Sequence, residues 1–242
     1  HASGFLEAVR HPPDIQLDDQ LHNERAKSLP TRNTVKFLQG KPANHALLWG
    51  SRGTGKSSLV KALLNSYAQD GLRLIEVDPK DLVNLSQVVE PLFHRREKYI
   101  IFCDDLSFEA HDDSYKSLKA ALDGSISTTP PNLLIYATSN RRHLLPETME
   151  ENNTSQMIGG ELHHGEAIEE KISLSERFGL WLSFYPFNQD QYLEVVYHWL
   201  VKLNIPIGER DAMERAAIQF AAQRGSRSGR VARQFANEWA DA

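Results

Sequence analysis

The 242-residue sequence has a single cysteine, Cys103, which lies in an apolar run. One cysteine cannot form an intramolecular disulfide bond, so the chain is not a disulfide-stabilised secreted domain, and we expect a cytoplasmic protein. We interpret the thiol as a buried strand side chain. No apolar stretch approaches the roughly 20 residues that a membrane-spanning helix needs, so we expect no contact with a membrane.

The chain also lacks an excess of positive charge. It has 27 lysine and arginine residues against 32 aspartate and glutamate residues, and its net charge is -5. Proteins that bind nucleic acid usually carry a basic excess or a basic stripe, so any such contact here would be local. The basic cluster at 141–143 is one candidate. A solvated cluster or a contact between subunits is the favoured interpretation of it.

Apolar patterns predict strands and helices that alternate along the chain. Four segments predict strands, at 46–49, 72–78, 99–103 and 132–140. Helical patterns cover 23–40, with a break near Pro30, and the segment that follows the loop after the first strand and ends at Gly71. Further helical patterns cover 82–96, 114–122, 189–203, 209–223 and 228–241. This alternation predicts an α/β fold with a mostly parallel central sheet between two layers of helices, followed by a small all-helical domain.

The same patterns predict three parts. Residues 1–42 form an N-terminal segment, 43–187 an α/β core, and 188–242 a helical lid. Within the core, 146–171 is acidic and has no clear period, so we interpret it as a long loop or insertion. We interpret the aromatic residues between 178 and 187 as packing between the core and the lid: Phe178, Trp181, Phe184, Tyr185 and Phe187.

A glycine-rich loop follows the first predicted strand. Residues 50–57, "GSRGTGKS", match the pattern G-x-x-x-x-G-K-[ST], and a helical pattern follows them. In this context backbone N–H groups curl around a phosphate chain, and the helix N-terminus adds positive potential. Lys56 is placed to reach the β- and γ-phosphates, and the Ser57 hydroxyl to ligate Mg²⁺. We therefore predict a site for ATP and Mg²⁺, with the nucleotide bound by Gly50, Ser51, Arg52, Gly53, Thr54, Gly55, Lys56, Ser57 and Ser58.

Two adjacent carboxylates follow the third predicted strand, in the stretch "FCDDLSFE" at 102–109. A phosphate-loop protein needs a carboxylate at the end of a second strand to complete the Mg²⁺ shell. Asp104 fits this metal-binding role together with Ser57. Asp105 lies where a water-polarising acid is expected, and Glu109 is the alternative base, although we favour a solvated turn residue for Glu109.

With both motifs in hand, the layout resembles that of the AAA+ ATPases over about residues 15–240. The shared order is a phosphate loop, an acidic pair, a strand with a polar end ("IYATSN"), an arginine before an aromatic ("SERFG") and a helical lid entered through "RSGRVARQF". Longer strings, such as "LLWGSRGTGKSSLVKALLN" and "EEKISLSERFGLWLSFYPF", are similar to those of a bacterial AAA+-type ATPase family catalogued as a domain of unknown function. The resemblance implies a P-loop NTPase core with a C-terminal lid.

The resemblance also implies roles for three further residues. Asn140 would hold the attacking water or the γ-phosphate at the end of the fourth strand. Arg177 would be an arginine finger that acts on the nucleotide of a neighbouring subunit, which implies a homo-oligomer, either a ring or a spiral. Arg230 would contact the phosphates from the lid of its own chain, with Arg227 and Arg233 as alternatives.

The sequence departs from the family pattern at two positions. Most AAA+ members have Asp-Glu where this chain has Asp104-Asp105, and the shorter second side chain bears on the speed of hydrolysis. The segment "LDDQLHNERAK" resembles the one that lines the adenine pocket, but His22 stands where the family usually has glycine. This departure weakens the assignment of adenine contacts to Leu21 and His22.

These features favour an ATPase that remodels or loads a protein or nucleic-acid partner in a shared-site oligomer. One alternative is a slow nucleotide-gated switch or scaffold, which Asp105 in place of glutamate favours. Another is a P-loop kinase acting on a small molecule, against which the lid and Arg177 argue. A metal site at 161–166, where two histidines lie between glutamates, is disfavoured because adjacent side chains rarely form a closed tetrahedral site.

Overall fold

The computed structural model describes residues 6–108, 114–123, 130–142, 144, 156–158, 161–163 and 174–240. Five strands form one parallel sheet in the order β2-β3-β4-β1-β7. Their bounds are Ala46–Gly50 (β1), Leu72–Glu76 (β2), Lys98–Cys103 (β3), Leu133–Ser139 (β4) and Leu180–Phe184 (β7). The four predicted strands are confirmed, and the fifth, β7, was not predicted. Two short strands, Gln156–Ile158 (β5) and Glu161–His163 (β6), pair antiparallel within the acidic segment.

Helices cover both faces of the sheet. Their bounds are Glu24–Leu38 (α1), Lys56–Tyr67 (α2), Leu85–Val89 (α3) and Ser114–Asp123 (α4). In β4, Leu134 and Tyr136 pack with residues of α1 and α2, whereas Ile135 and Ala137 pack with residues of α3 and α4 on the opposite face. Successive side chains of a strand point to opposite faces, and here both faces are buried, as is typical of a parallel sheet. The predicted α/β sandwich is thus confirmed.

Two predicted helices have different bounds in the structure. The break predicted near Pro30 is wrong, because α1 runs through this residue. Pro30 is one of several α1 residues buried against the sheet, and this burial offsets the backbone hydrogen bond that proline cannot make. The single helix predicted at 82–96 is also wrong. A 3-10 turn (Pro79–Asn84), α3 and a second 3-10 turn (Glu90–Leu92) replace it, and Pro91 stands where an α-helix would need an N–H donor.

The aromatic residues between 178 and 187 do not form one interface. Phe178 and Trp181 pack on one face of the sheet, Phe184 on the other, and Phe187 in the lid. Tyr185 is 62% exposed. The prediction that they pack together between core and lid is therefore wrong, because β7 directs neighbouring side chains to opposite faces.

The lid consists of α5 (Gln189–Lys202), α6 (Arg210–Arg224) and α7 (Gly229–Trp239), which enclose a hydrophobic core of their own. Asn188 caps α5 with a reciprocal capping box, and the Ser228 hydroxyl caps α7. Gly225 ends α6 in the left-handed conformation that favours glycine. Among the described residues, no helix has both the length and the apolar character needed to cross a lipid bilayer.

Candidate phosphate-binding site

The glycine-rich loop connects the end of β1 to the start of α2. Gly50 has a φ of +135°, and a Cβ at this position would lie 2.0 Å from the carbonyl oxygen of Phe184 in β7. Gly55, the N-cap of α2, has a φ of +100°. A side chain at Gly50 would collide with β7, and a side chain at either position would strain the backbone. Because glycine carries no side chain, the loop can approach its neighbours closely. Residues 52–58 line the cavity, so the first turn of α2, whose N–H groups have no partner within the helix, lies at the cavity wall.

The Lys56 ammonium is held at the centre of the loop. Its Nζ donates to the carbonyl oxygens of Gly50 and Ser51, both at 2.8 Å, and to Oδ1 of Asn140 at 3.1 Å. Lys56 is buried, and this burial lowers the pKa of its ammonium. Asp105 and Asp104 oppose that shift by raising the pKa. The three acceptors are neutral oxygens that an anionic phosphate can replace, because the ammonium binds a charged oxygen more strongly than a neutral one.

Asp104 receives hydrogen bonds from both sides. Its Oδ1 accepts from Ser57 Oγ at 2.6 Å and from Thr138 Oγ1 at 2.6 Å. The backbone N–H of Asp105 donates to Thr138 Oγ1 at 2.9 Å and to Asp104 Oδ1 at 3.1 Å. The two predicted metal ligands, Ser57 and Asp104, therefore meet at the carboxyl end of the sheet.

Thr138 is a site residue that sequence reasoning missed. It lies in β4, two residues before Asn140, and strand alternation directs the two side chains to the same side. The two-residue spacing of Thr138 and Asn140 in "ATSN" could have indicated that both side chains face the site. Thr138 is 1% exposed and lines the cavity. Its hydroxyl orients the Asp104 carboxylate through their hydrogen bond.

Asp105 and Asn140 contact each other. The Asn140 Nδ2 group donates to Oδ1 of Asp105. Asp105 has a φ of +51°, in the left-handed region where aspartate is tolerated better than most residues. Its side chain is 61% exposed, and Arg52 lies 3.9 Å from its Oδ2. The two predicted catalytic residues therefore lie side by side, whereas the alternative base, Glu109, lies outside the described residues.

The lid closes over the phosphate loop at the start of α7. The backbone N–H of Arg230 donates to the carbonyl oxygen of Gly53 at 3.3 Å, and Arg230 and Arg233 both line the cavity. The guanidinium of Arg233 stacks over the ring of Trp199 at 4.8 Å. Arg227 does not line the cavity, so two of the three arginines considered for the lid, Arg230 and Arg233, lie at the cavity wall.

Arg177 lies away from the cavity of its own chain. It is at the start of the stretch that leads to β7, and its Nε forms an ion pair with Oδ1 of Asp123 at 2.5 Å, at the end of α4. No atom of Arg177 lines the cavity.

The N-terminal segment forms one wall of the cavity through Gln20, Leu21 and Asn23. His22 has a φ of +59°, the region that favours glycine, which gives a physical reason for the glycine usual at this position. His22 Nε2 lies 2.9 Å from Glu194 Oε2 in α5, at ion-pair distance but without hydrogen-bond alignment. The His22 side chain contacts the lid rather than the cavity.

Together these walls enclose a cavity of about 630 Å³ at the carboxyl end of the sheet, between the core and the lid. The sheet order, the phosphate loop after β1, the acidic pair after β3 and the three-helix lid define a P-loop NTPase fold of the AAA+ type. The chain belongs to the family described as "Protein of unknown function (DUF815)", whose model matches residues 1–242.

Solved structures have the same fold at low sequence identity. The chain is similar to the Thermotoga maritima RuvB Holliday junction branch migration motor, with a TM-score of 0.54 and 19% identity over 93% of this chain and 64% of that chain. It is also similar to the FIGL-1 AAA domain in complex with ADP, with a TM-score of 0.58 and 19% identity over 98% and 74% of the two chains. Among curated proteins, the Nanoarchaeum equitans replication factor C large subunit is 29% identical over 96 residues, which are 37% of this chain and 22% of that protein. The chain thus spans less than two thirds of the RuvB motor and about a fifth of the replication factor.

Proposed function

We propose that this protein binds ATP with Mg²⁺ and hydrolyses it in a site shared between neighbouring copies, and that hydrolysis remodels or loads a protein or nucleic-acid partner. One observation carries the proposal. Ser57 Oγ and Asp104 Oδ1 lie 2.6 Å apart beside the Lys56 ammonium, at the N-terminus of α2. This arrangement can bind a metal ion and a phosphate chain side by side.

The donor set fits Mg²⁺. This ion prefers oxygen ligands, and it usually takes one or two protein side chains together with substrate phosphates and water. Among the described residues no group of three or more histidine, cysteine, aspartate or glutamate side chains gathers to form a full protein cage. Ser57 and Asp104 would hold the ion, and Thr138 would orient the carboxylate. When bound, Mg²⁺ neutralises charge on the phosphate oxygens.

Asp105 and Asn140 are the residues that would position the attacking water. Their side chains are joined by a hydrogen bond and both line the cavity. The Asp105 carboxylate would accept a proton of the water, and the Asn140 amide would fix the direction of attack. Lys56 and Arg230 would stabilise the negative charge that develops on the transferred phosphoryl group.

Completion of the site by a second copy accounts for Arg177. This residue lies outside its own cavity, and a charge-stabilising arginine supplied in trans raises phosphoryl-transfer rates by roughly 10³- to 10⁵-fold. Arg177 would exchange its ion pair with Asp123 for the γ-phosphate of the neighbour's nucleotide. Assembly would therefore switch hydrolysis on.

A second candidate function is a slow nucleotide-gated switch or scaffold. The observation that favours it is the short Asp105 side chain, whose Oδ1 is already engaged by Asn140. With Oδ1 engaged, only Oδ2 of a side chain one methylene shorter than glutamate would accept from the water, which would slow hydrolysis. Nucleotide binding would then set the conformation of the lid without rapid turnover.

The testing experiment is steady-state Mg-ATP turnover per subunit over a range of protein concentrations. The proposal expects turnover per subunit to rise with concentration, because each site needs a neighbour. Lys56→Ala should abolish nucleotide binding, whereas Asp105→Asn should retain binding and lose turnover. Turnover that is independent of concentration and near zero, with ATP still bound, would reject the shared-site ATPase in favour of the switch.

A further inference from the structure

We propose that Asp19 is a positioning residue, which holds the lid over the phosphate loop through an ion pair with lid helix α5. Residues 13–23, called the strap below, connect the core to the lid through this pair. The inference deepens the proposed function and rests on it for the effect on turnover, because Asp19 would act on the reaction through the lid residue Arg230.

The first half of the strap is fixed to the core. Asn65 of α2 donates from Nδ2 to the backbone carbonyl oxygens of Pro13 and Ile15, both at 2.9 Å. Leu17 packs against the hydrophobic cluster that α1 and α2 form with the sheet. The strap is therefore held by α2, the helix that begins at Lys56 of the phosphate loop.

The second half of the strap contacts the lid. Lys202 Nζ donates to Oδ1 and Oδ2 of Asp19 at 2.6 and 2.5 Å, and His198 Nε2 lies 2.9 Å from Oδ1. Lys202 and His198 lie four residues apart and so share one face of α5. Leu21 packs against the hydrophobic core of the lid. Leu17 and Leu21, four residues apart in the sequence, thus pack against two different hydrophobic cores.

The Asp19 carboxylate is buried and charged. Its side chain is 4% exposed. Burial raises the pKa of this carboxyl, but hydrogen bonds from Lys202, from the backbone N–H of Gln16 and from His198 outweigh that effect and lower the pKa below its ordinary value. Loss of one partner of a buried ion pair is strongly destabilising, because the other charge is left without compensation.

A second ion pair between the strap and α5 contributes less. It joins His22 Nε2 to Glu194 Oε2 at 2.9 Å, but the Glu194 side chain is 64% exposed. Exposed ion pairs contribute little to stability, because water already solvates both charges. Asp19 is therefore the stronger electrostatic contact of the strap with α5.

The position of α5 also sets the position of Arg230. Val196 of α5 and Val231 of α7 belong to one hydrophobic core, so the two helices move together. At the start of α7, the Arg230 backbone N–H donates to the Gly53 carbonyl oxygen at 3.3 Å, which is long for a hydrogen bond. Loss of the Asp19 ion pair would leave this weak contact to hold the lid, and Arg230 would move away from the phosphates.

The test measures the distance between core and lid by pulsed electron paramagnetic resonance on the full chain. Spin labels are attached at Gln69→Cys, after α2, and at Gln223→Cys in α6, both exposed positions. The native Cys103 is buried and should not react with the label. We expect one narrow distance distribution with wild-type Asp19, and a broader distribution at longer distances with Asp19→Asn, which keeps the size of the side chain but not its charge.

The exchange of both charges separates positioning from general destabilisation. Asp19→Lys combined with Lys202→Asp should restore the narrow distribution, because the pair is formed again with opposite polarity. Asp19→Asn should lower Mg-ATP turnover at saturating nucleotide by about 10-fold, and the double exchange should recover most of it. Glu214→Gln is the matched control: it removes an ion pair with Arg210 inside α6 and should keep the narrow distribution.

The distance measurement needs no nucleotide, so it separates this inference from the proposed function. The inference is overturned if folded Asp19→Asn keeps the narrow distribution, or if the distribution with wild-type Asp19 is already as broad. Should Asp19→Asn fail to fold, Lys202→Met removes the more exposed partner and makes the same test. A wild-type protein without turnover whose distribution still broadens in Asp19→Asn would reject the ATPase and retain the strap.

Discussion

The hydroxyl of Thr138 should matter for the proposed catalysis because it orients the Asp104 carboxylate, which we propose binds Mg²⁺. Thr138 Oγ1 donates to Asp104 Oδ1 at 2.6 Å and accepts from the backbone N–H of Asp105 at 2.9 Å. Thr138→Val replaces the hydroxyl by a methyl group of similar size. Asp104 then keeps only the Ser57 hydroxyl as a side-chain donor, and the backbone N–H of Asp105 loses one of its two acceptors.

The magnitude follows from the charge of the acceptor. A hydrogen bond to a charged group contributes about 1.5–3 kcal/mol, and Asp104 is only half-buried, so water in the cavity recovers part of this. We expect a loss of about 1–2 kcal/mol in transition-state stabilisation, which corresponds to roughly 5- to 30-fold in turnover. Because the lost contact acts through Asp104, the variant should also need a higher Mg²⁺ concentration for half-maximal turnover.

The assay is Mg-ATP turnover measured as a function of Mg²⁺ concentration. Thr138→Ser is the matched control, since it retains the hydroxyl and removes only a methyl group. Serine should keep the Mg²⁺ dependence of wild type while it lowers thermal stability slightly. The reasoning is refuted if Thr138→Val has the turnover and Mg²⁺ dependence of wild type, or if serine impairs turnover as much as valine.

Three further variants test other parts of the structure. Arg177→Ala should lower turnover by roughly 10³-fold or more and leave ADP affinity unchanged, because the arginine would act on a neighbour's nucleotide. Burial lowers the pKa of His45 to about 4 from 6.5, so the unfolded chain takes up a proton first as pH falls. The free energy of unfolding in urea should therefore decrease by up to about 3 kcal/mol between pH 6.5 and pH 4, and His45→Asn should reduce this decrease. Gly50→Ala should prevent folding, because its Cβ would lie 2.0 Å from the Phe184 carbonyl oxygen, whereas Gly71→Ala should remain folded.

Each of these has a control. Asp123→Ala removes the ion-pair partner of Arg177 and should leave turnover intact; normal turnover in Arg177→Ala would reject the shared site. His11→Asn changes an exposed histidine and should keep the wild-type dependence of the free energy of unfolding on pH. If wild type, His45→Asn and His11→Asn all lose the same stability between pH 6.5 and pH 4, His45 is not the cause of that loss. Gly71 has a φ of +93°, but an added Cβ would have nothing within 4 Å. If Gly50→Ala and Gly71→Ala impair folding equally, backbone strain, and not the contact with the Phe184 carbonyl oxygen, is the main cause.

The glycine-rich loop and the acidic end of β3 were predictable because local chemistry specifies them. The loop needs glycines at fixed spacing before Lys56 and Ser57, and Asp104 follows directly after a buried strand. Asn140 was found through the family resemblance, and the structure places it beside Asp105 and Lys56. The catalytic roles of these residues, like that of Arg177, stay predictions.

The partners of these residues were not predictable in the same way. Thr138 lies in an ordinary strand, and its importance depends on a contact with Asp104, across 34 residues of sequence. β7 was missed because apolar side chains project from both of its faces, so the segment shows no strict alternation. Pro30 predicted a break that the packing of α1 against the sheet overrides.

The sequence by itself therefore determined the order of strands and helices in most of the core, the lid, the phosphate loop and the acidic pair, because each follows from short-range spacing and hydrophobic period. Only the tertiary structure decided the pairing of β7 with β1, the second hydrogen-bond donor to Asp104, and the placement of Arg177 outside its own cavity. These depend on which distant residues are brought together by the packed sheet and lid, and no local pattern encodes that.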